Sequence, residues 1–186
     1  MSAIETSVEQ IHPLLHYIDR TKYSAERVQS LWDHLQTQDY AFDDTTRGDS
    51  TAFLSQFLMP NNLLFEVGEM EGFVSAVGVT PRVQALLHFS IWGKLKITDV
   101  LMAGKALNEF LFNEFQLNRL SAFIPNQNIN ARRLALLLGF KEEGNLRKAW
   151  LSHDNYQDII IFGLLRSEWD RFKRIKIPCL QVQQFL

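Results

Sequence analysis

Apolar residues in the second half of the chain form short runs whose length and spacing are typical of strands. The run 119–124 is short and mostly apolar and ends at Pro125, which predicts a strand. Residues 146–151 predict a second strand, after a turn that we place at Gly144. A polar turn then leads to residues 159–165, the densest apolar run in the chain, which predicts a buried strand.

The segment between the first two of these strands has the spacing of a helix. Its apolar positions Leu134, Leu137 and Leu138 lie on one face, and Gly139 stands where a helix often ends in the left-handed conformation. An asparagine side chain can accept the free N–H groups at the start of a helix, and three are available as caps: Asn126, Asn128 and Asn130. Residues 119–165 therefore predict the order strand, capped helix, turn, strand, strand.

The first half of the chain begins with helical patterns. Apolar residues in the segment 4–20 recur at helix-like spacing, but Pro13 is tolerated only near a helix start, so this helix is expected to begin near His12. A clearer amphipathic helix covers residues 25–36, with Ser24 as its N-cap.

A polar, Asp-rich loop at 40–50 separates these helices from the next elements. Ser50 is a candidate cap for a short helix that stops at Pro60. Short turns separate three apolar runs that predict an antiparallel meander, at 63–67, 73–79 and 85–92. Residues 100–115 then predict a long helix with an apolar face.

Composition narrows the class of protein. At 186 residues the chain is long enough for one complete core, and its net charge of −2 offers no basic surplus for nucleic acid or an anionic membrane. A single cysteine, Cys179, excludes an internal disulfide framework. No apolar run is long enough for a membrane span, and the acidic N-terminus does not resemble a signal peptide, so a cytoplasmic protein is expected.

The ordered motifs of the second half resemble GNAT-type (Gcn5-related) N-acetyltransferases, in particular the branch that acetylates ribosomal-protein N-termini. The matching positions are Asn128, Arg133, Gly139-Phe140, Glu143-Gly144, Leu146-Arg147, Asp158 and Glu168-Trp169. The resemblance implies an α/β (α+β) fold with a mixed, mostly antiparallel sheet of about six to seven strands flanked by helices. In that fold the fourth and fifth strands splay, and acetyl-CoA lies between them. The run 85–92 would be the fourth strand.

The resemblance also places a coenzyme-binding loop between Trp92 and Asp99. The family pattern there is Q/R-x-x-G-x-G/A, whose small residues let backbone N–H groups approach the pyrophosphate. This chain has Lys96-Ile97-Thr98 at the G-x-G position, a weakened loop similar to that of phage-encoded versions. The candidate coenzyme contacts are Gly93, Lys94, Lys96, Thr98 and Asn128. The alternative is that Thr98 or Asp99 only caps the helix and that the lysines are solvated.

Two catalytic positions of the family are also changed. Ala131 stands where the branch has a serine that can protonate the leaving thiolate, and Trp150 stands where it often has a glutamate base. His88, in the middle of the cleft strand, is a candidate base, and Tyr156 is a candidate proton donor to sulfur. A hydrogen-bonded sheet histidine and a packing tyrosine are the structural alternatives. No metal site is expected.

Two functions remain open from the sequence. One is an acetyl-CoA-dependent N-acetyltransferase acting on an amine. The other is a non-catalytic binding or assembly protein with the same fold, for example a phage virion component located in the virion or the host cytoplasm. Residues 1–170 would form the single domain. The extension 171–186 would be a docking tail for a partner or for self-association, unless it folds back as a last strand.

Overall fold

The computed structural model describes residues 10–174, which form one eight-stranded sheet and five helices. The strands are β1 (Gln10–His12), β2 (Leu15–Tyr17), β3 (Leu63–Val67), β4 (Gly72–Thr80), β5 (Gln84–Ile91), β6 (Arg119–Pro125), β7 (Lys141–Ser152) and β8 (Asn155–Leu165). The helices are α1 (Ala25–Leu35), α2 (Ser50–Leu58), α3 (Ile97–Glu114), α4 (Ile129–Leu137) and α5 (Arg166–Phe172). No helix within the described range is long and apolar enough to cross a bilayer.

Within residues 10–174 the sheet order is β1-β2-β3-β4-β5-β6-β8-β7, and β5 and β6 are the only neighbours that run parallel. These two strands pair only at their beginnings, where Gln84–Leu86 lies beside Arg119–Ser121. Both strands continue beyond this pairing, to Ile91 and Pro125, so they splay apart. The predicted fold class is therefore confirmed. The splay lies between the fifth and sixth strands instead of the fourth and fifth, because the N-terminal hairpin makes Gln84–Ile91 the fifth strand.

The N-terminal region corrects a prediction. Residues 10–17 form the β1–β2 hairpin, with Pro13 in its turn, instead of a helix that begins near His12. β2 pairs with β3 through Leu15–Val67, His16–Glu66 and Tyr17–Phe65. This long-range pairing buries Leu15 completely.

Helices cover the two faces of the sheet unequally. On one face, α3, α4 and α5 pack on the main core, in which Leu107, Leu111 and Phe162 are fully buried. On the opposite face, α1 and α2 build a second cluster around Trp32 and Phe57, packed on Leu64 of β3 and Phe73 of β4. We call this second side the outer face.

Several element boundaries follow the sequence signals. The Ser24 hydroxyl caps α1, and Gly139, with a φ of 91°, ends α4 in the left-handed conformation. The cap of α2 is Asp49 instead of Ser50. Gly144 does not form a turn: it lies inside β7, where the register with β8 shifts between Glu142 and Gly144.

The predicted boundary at residue 170 falls inside α5, so Arg171 and Phe172 belong to a helix that packs on the core. Residues 175–186, which would form most of the predicted docking tail, lie outside the described residues.

Candidate functional site

The splay between β5 and β6 opens the sheet beside α3 and α4. Beyond Leu86 and Ser121, each strand keeps a partner on one side only, β4 for β5 and β8 for β6. Alternate backbone groups of both strands therefore face the opening without a ladder partner. Two connected cavities occupy it, of about 830 Å³ and about 90 Å³. The larger has the size of a small-molecule site.

The larger cavity is a cleft between four segments. They are the loop after α1, the end of β5, the start of α3, and one side of α4, with lining residues in the ranges 38–41, 89–91, 95–100 and 128–137. Most of the lining is apolar, and the charged side chains in it are Asp39, Lys96 and Arg133. The cleft therefore offers a mostly apolar channel with two cations in its walls.

The start of α3 supplies an anion-binding feature to this cleft. Lys96 is the N-cap residue and makes no side-chain capping bond, so neither Thr98 nor Asp99, the residues named in the alternative, caps the helix. The amides of Asp99 and Val100 donate to the Lys96 carbonyl at 2.9 and 3.1 Å. Within residues 10–174, the amides of Ile97 and Thr98 have no protein acceptor. Free N–H groups and the helix dipole favour an anion here.

The smaller cavity passes through the sheet between β5 and β6. Leu87 and Ile124 line it on the helix-covered side, while His88 and Phe123 line it on the outer face. Seven residues line both cavities and mark their junction: Tyr40, Ala41, Phe89, Ser90, Asn128, Ala131 and Leu134. A group bound in the cleft can therefore reach the outer face through this gap.

His88 stands at this gap, opposite Ser75 of β4. Its side chain is exposed at the opening, which Tyr40, Ser90 and Phe123 also line. Desolvation lowers the pKa of the imidazole below its ordinary value of 6.5. The ring is therefore neutral at pH 7 and has a nitrogen that can accept a proton.

Asn128 has a defined structural role and also lines both cavities. Its Oδ1 accepts a hydrogen bond from the Ala131 amide at 3.1 Å and so caps α4, as one of the three predicted alternatives. The cap leaves the amide nitrogen of Asn128 available to a ligand in the cleft. Ala131 lies at the same junction and contributes no hydroxyl.

Of the four other residues predicted to contact the coenzyme, only one lines the larger cleft. Lys96 lines the larger cleft, whereas Lys94 and Thr98 are exposed and do not line it. Gly93 packs against the β3–β4 turn: a Cβ at Gly93 would lie 2.4 Å from the Glu71 Cβ, and its amide donates to the Glu71 carbonyl at 2.9 Å. Close packing in the loop therefore accounts for this glycine.

Tyr156 lies away from the cavities. It is at the start of β8, its side chain is 66% exposed, and it lines neither cavity. Tyr40 and Ser90, in contrast, bring hydroxyl groups to the junction, and we had not selected them as site residues. Ser90 could have been chosen because it alternates with His88 on one strand. No local signal in the Asp-rich loop distinguishes Tyr40.

Possible metal ligands do not cluster in the described part of the chain, where no group of three or more His, Cys, Asp or Glu side chains could hold an ion. The groups available at the site are an imidazole, hydroxyls, backbone amides, the Asp39 carboxylate and two cations beside a mostly apolar cleft.

Sequence comparison assigns no family: no protein-family model matches the chain, and no curated protein does. Solved structures do match. A probable acetyltransferase superposes with a TM-score of 0.64 at 21% identity, over 86% of this chain and 97% of the other. A GNAT-family probable acetyltransferase from Chromobacterium violaceum gives 0.65 at 20% identity, over 91% and 92%.

A third match is a chimera of the spermidine N-acetyltransferase SpeG from Vibrio cholerae and hSSAT. Its TM-score is 0.68 at 16% identity, with 85% of this chain and 98% of the other covered. At these identities the matches establish the fold alone. The chain has the fold of the GNAT acetyltransferases.

Proposed function

We propose that this protein is an N-acyltransferase that transfers an acetyl group from acetyl-CoA to a primary amine. The observation that carries the proposal is the continuous opening at the splay. A cleft of about 830 Å³ beside an uncapped helix N-terminus leads into a gap of about 90 Å³ lined by a neutral histidine.

Acetyl-CoA would supply a thioester, and the reaction balances without another reactant. The amine nitrogen bonds to the carbonyl carbon, the carbon–sulfur bond breaks, the amine loses a proton and the sulfur gains one. The cleft fits this ligand in two respects. Free amides at Ile97 and Thr98, with Lys96 beside them, suit its pyrophosphate, and the apolar walls suit its pantetheine arm.

The residues at the gap would serve the chemical step. Neutral His88 would accept the amine proton, directly or through one water. Unpaired N–H groups of β5 beyond Leu86 would donate to the thioester oxygen as negative charge develops there. Asn128 would orient the coenzyme through its free amide nitrogen. Lys94 and Thr98 could contact the phosphates only from the rim of the cleft.

A non-catalytic protein on the same fold, such as a virion component, is the second candidate. It is favoured by the stiff, β-branched Ile97 and Thr98 at the phosphate position and by the missing hydroxyl at Ala131. Calorimetric titration with acetyl-CoA separates the two. We expect micromolar binding, and no binding at millimolar ligand would favour the second candidate.

The role of His88 has its own test, the pH profile of kcat/KM. Because desolvation lowers the pKa of His88, the base is present above that lowered pKa, and activity should be lost only as the pH falls below 6.5. His88→Gln should lower kcat by about 10²–10⁴ and abolish this acidic limb. The same limb in the variant would contradict the assignment. The same measurements of kcat and of the pH profile on Tyr156→Phe test the second predicted catalytic residue.

A further inference from the structure

In the described part of the chain, helices cover only one half of the outer face of the sheet. Strand register places Leu86, Ser121 and Gly163 in one row across β5, β6 and β8 on this face. α1 and α2 pack on the side of β3 and β4, through Leu64 and Phe73. In residues 10–174, no helix of this second cluster packs on β6, β8 or β7.

The open half of this face is apolar. Phe123 of β6 is 43% exposed and lies beside Ile161 of β8. Ile161 faces Gly144 of β7, and the next row pairs Ile159 with Leu146, which is 42% exposed. We call the surface formed by Phe123, Ile161 and Leu146, with the buried Ile159 at its base, the apolar groove. It spans three strands, about 10 Å from β6 to β7, and the gap at His88 opens beside Phe123.

The apolar groove has a polar border at each end. At one end, the loop between α1 and α2 reaches the β7–β8 turn, where the Asp44 amide donates to the Leu151 carbonyl and the Asp154 amide donates to the Asp44 carboxylate, both at 2.9 Å. At the other end, Arg119 and Glu143 form a bidentate ion pair over Gly163. The groove is thus a bounded surface that leads to the reaction gap.

Two of the carboxylates at these borders, those of Glu143 and Asp44, already have partners. Arg119 binds Glu143 and lowers the pKa of its carboxyl group. Asp44 accepts from Asp154 and pairs with Arg47 at 3.6 Å. Asp39, which makes no such contact in the described residues, lines the coenzyme cleft instead of the groove. The carboxylates of Glu143 and Asp44 are therefore already engaged, and Asp154, in the β7–β8 turn, is the border carboxylate without a protein partner within residues 10–174.

We infer that the acceptor is a primary amine attached to an apolar side chain, and that this side chain binds on the apolar groove. The inference rests on the proposed acyltransferase function and names its substrate class. A short aromatic amine would reach Phe123 only. A peptide amino terminus with two leading apolar residues would extend along the groove to Leu146. Burying one such side chain is expected to raise kcat/KM at least tenfold over an amine without it.

The test compares kcat/KM, with saturating acetyl-CoA, for four acceptors: phenethylamine, a peptide that begins Phe-Leu, a peptide that begins Gly-Ser, and spermidine. We expect phenethylamine and the Phe-Leu peptide to exceed the other two by about tenfold or more. Equal or better turnover of spermidine or the Gly-Ser peptide would overturn the inference while leaving the acyltransferase function intact. Turnover of no amine despite acetyl-CoA binding would overturn both.

Two substitutions in the apolar groove test where the apolar side chain of the acceptor binds. Phe123→Ser should lower kcat/KM at least about fivefold for both apolar acceptors, and Leu146→Ser should do so for the Phe-Leu peptide only. Leu136→Ser is the matched control, because Leu136 is 55% exposed on α4 and lines neither cavity. Acetyl-CoA affinity, measured for each variant, shows that the coenzyme cleft is folded. Unchanged kinetics in both groove variants would overturn the inference.

Discussion

Gly139 shows how one residue fixes the exit from α4. Its φ of 91° is strained for any residue with a Cβ, and a Cβ there would lie 3.1 Å from the Phe172 ring of α5. Gly139→Ala should therefore lower the free energy of unfolding by about 1–3 kcal/mol, measured by urea denaturation. Gly48→Ala is the control, because Gly48 has a φ of 80° with no atom within 4 Å of its Cβ position. Equal losses would exclude any contribution from the Phe172 contact.

Residues whose roles are local were predictable from the sequence. Asn128 caps α4 and Gly139 ends it, because both tasks depend on residue type and on distance from the helix end. Asp158, one of the positions that resemble the GNAT pattern, accepts hydrogen bonds from the Asn145 side chain and the Lys148 amide at 2.8 and 2.9 Å, and these bonds lower its pKa. Its partners follow a register shift in β7, which no sequence signal specified.

Elements were predictable where their partners are close in sequence. The β3–β4–β5 meander matches the three apolar runs because short turns join adjacent strands. The β1–β2 hairpin was missed because its partner, β3, lies about 50 residues away, as in the Leu15–Val67 pair. The helix-like spacing of its apolar residues contains no information about that pairing.

Site residues were predictable from the sequence only where they belong to elements that the sequence defines. His88 and Asn128 follow from a strand and a cap that the sequence defines. Tyr40 and Phe123 reach the gap only because a loop crosses the sheet and two strands splay, and both arrangements depend on tertiary packing. The Arg119–Glu143 pair joins β6 to β7, two strands that are separated by β8, so spacing could not predict it.

The loop between α1 and α2 is the element that closes one end of the apolar groove, and Asp44 holds it there. Hydrogen bonding from the Asp154 amide lowers the pKa of Asp44, so this contact is present at neutral pH and is lost as the pH falls through the lowered pKa. Asp44→Ala should speed amide hydrogen exchange at Asp154 and raise the KM for the amine, with little change in the unfolding midpoint. Glu69→Ala, an exposed change in the β3–β4 turn, is the control. Unchanged exchange at Asp154 would show that Asp44 does not hold the loop.

At the scale of the whole molecule, the sheet consists of two parts joined by little pairing. β1–β5 and β6–β8 meet through three residue pairs, Gln84–Arg119, Ala85–Leu120 and Leu86–Ser121. The core beneath α3 provides the rest of the connection, through buried side chains such as Leu107 and Phe112. A ligand in the splay would contact both parts and replace the missing ladder between them.

This arrangement predicts which backbone amides acetyl-CoA should protect from hydrogen exchange. At one hundred times its Kd, the ligand should add about 2.7 kcal/mol to the free energy of unfolding. Hydrogen exchange should slow at the alternate amides of residues 87–91 that point away from β4, and at the Ile97 and Thr98 amides, because within residues 10–174 these groups lack protein partners at the cleft. Residues of α5, on the far side of the core, should exchange at an unchanged rate.

The substitution Lys96→Glu tests the predicted protection by reversing the charge at the start of α3. The reversed charge at the N-cap should weaken acetyl-CoA binding at least about tenfold and remove the protection at Ile97 and Thr98 at the same ligand concentration. Lys94→Glu is the matched control, since Lys94 is two residues away and does not line the cleft. Equal weakening by both variants would mean that the loop acts only through its net charge. Protection of α5 instead of β5 and α3 would place the coenzyme outside the splay, because only a ligand within it contacts both parts of the sheet.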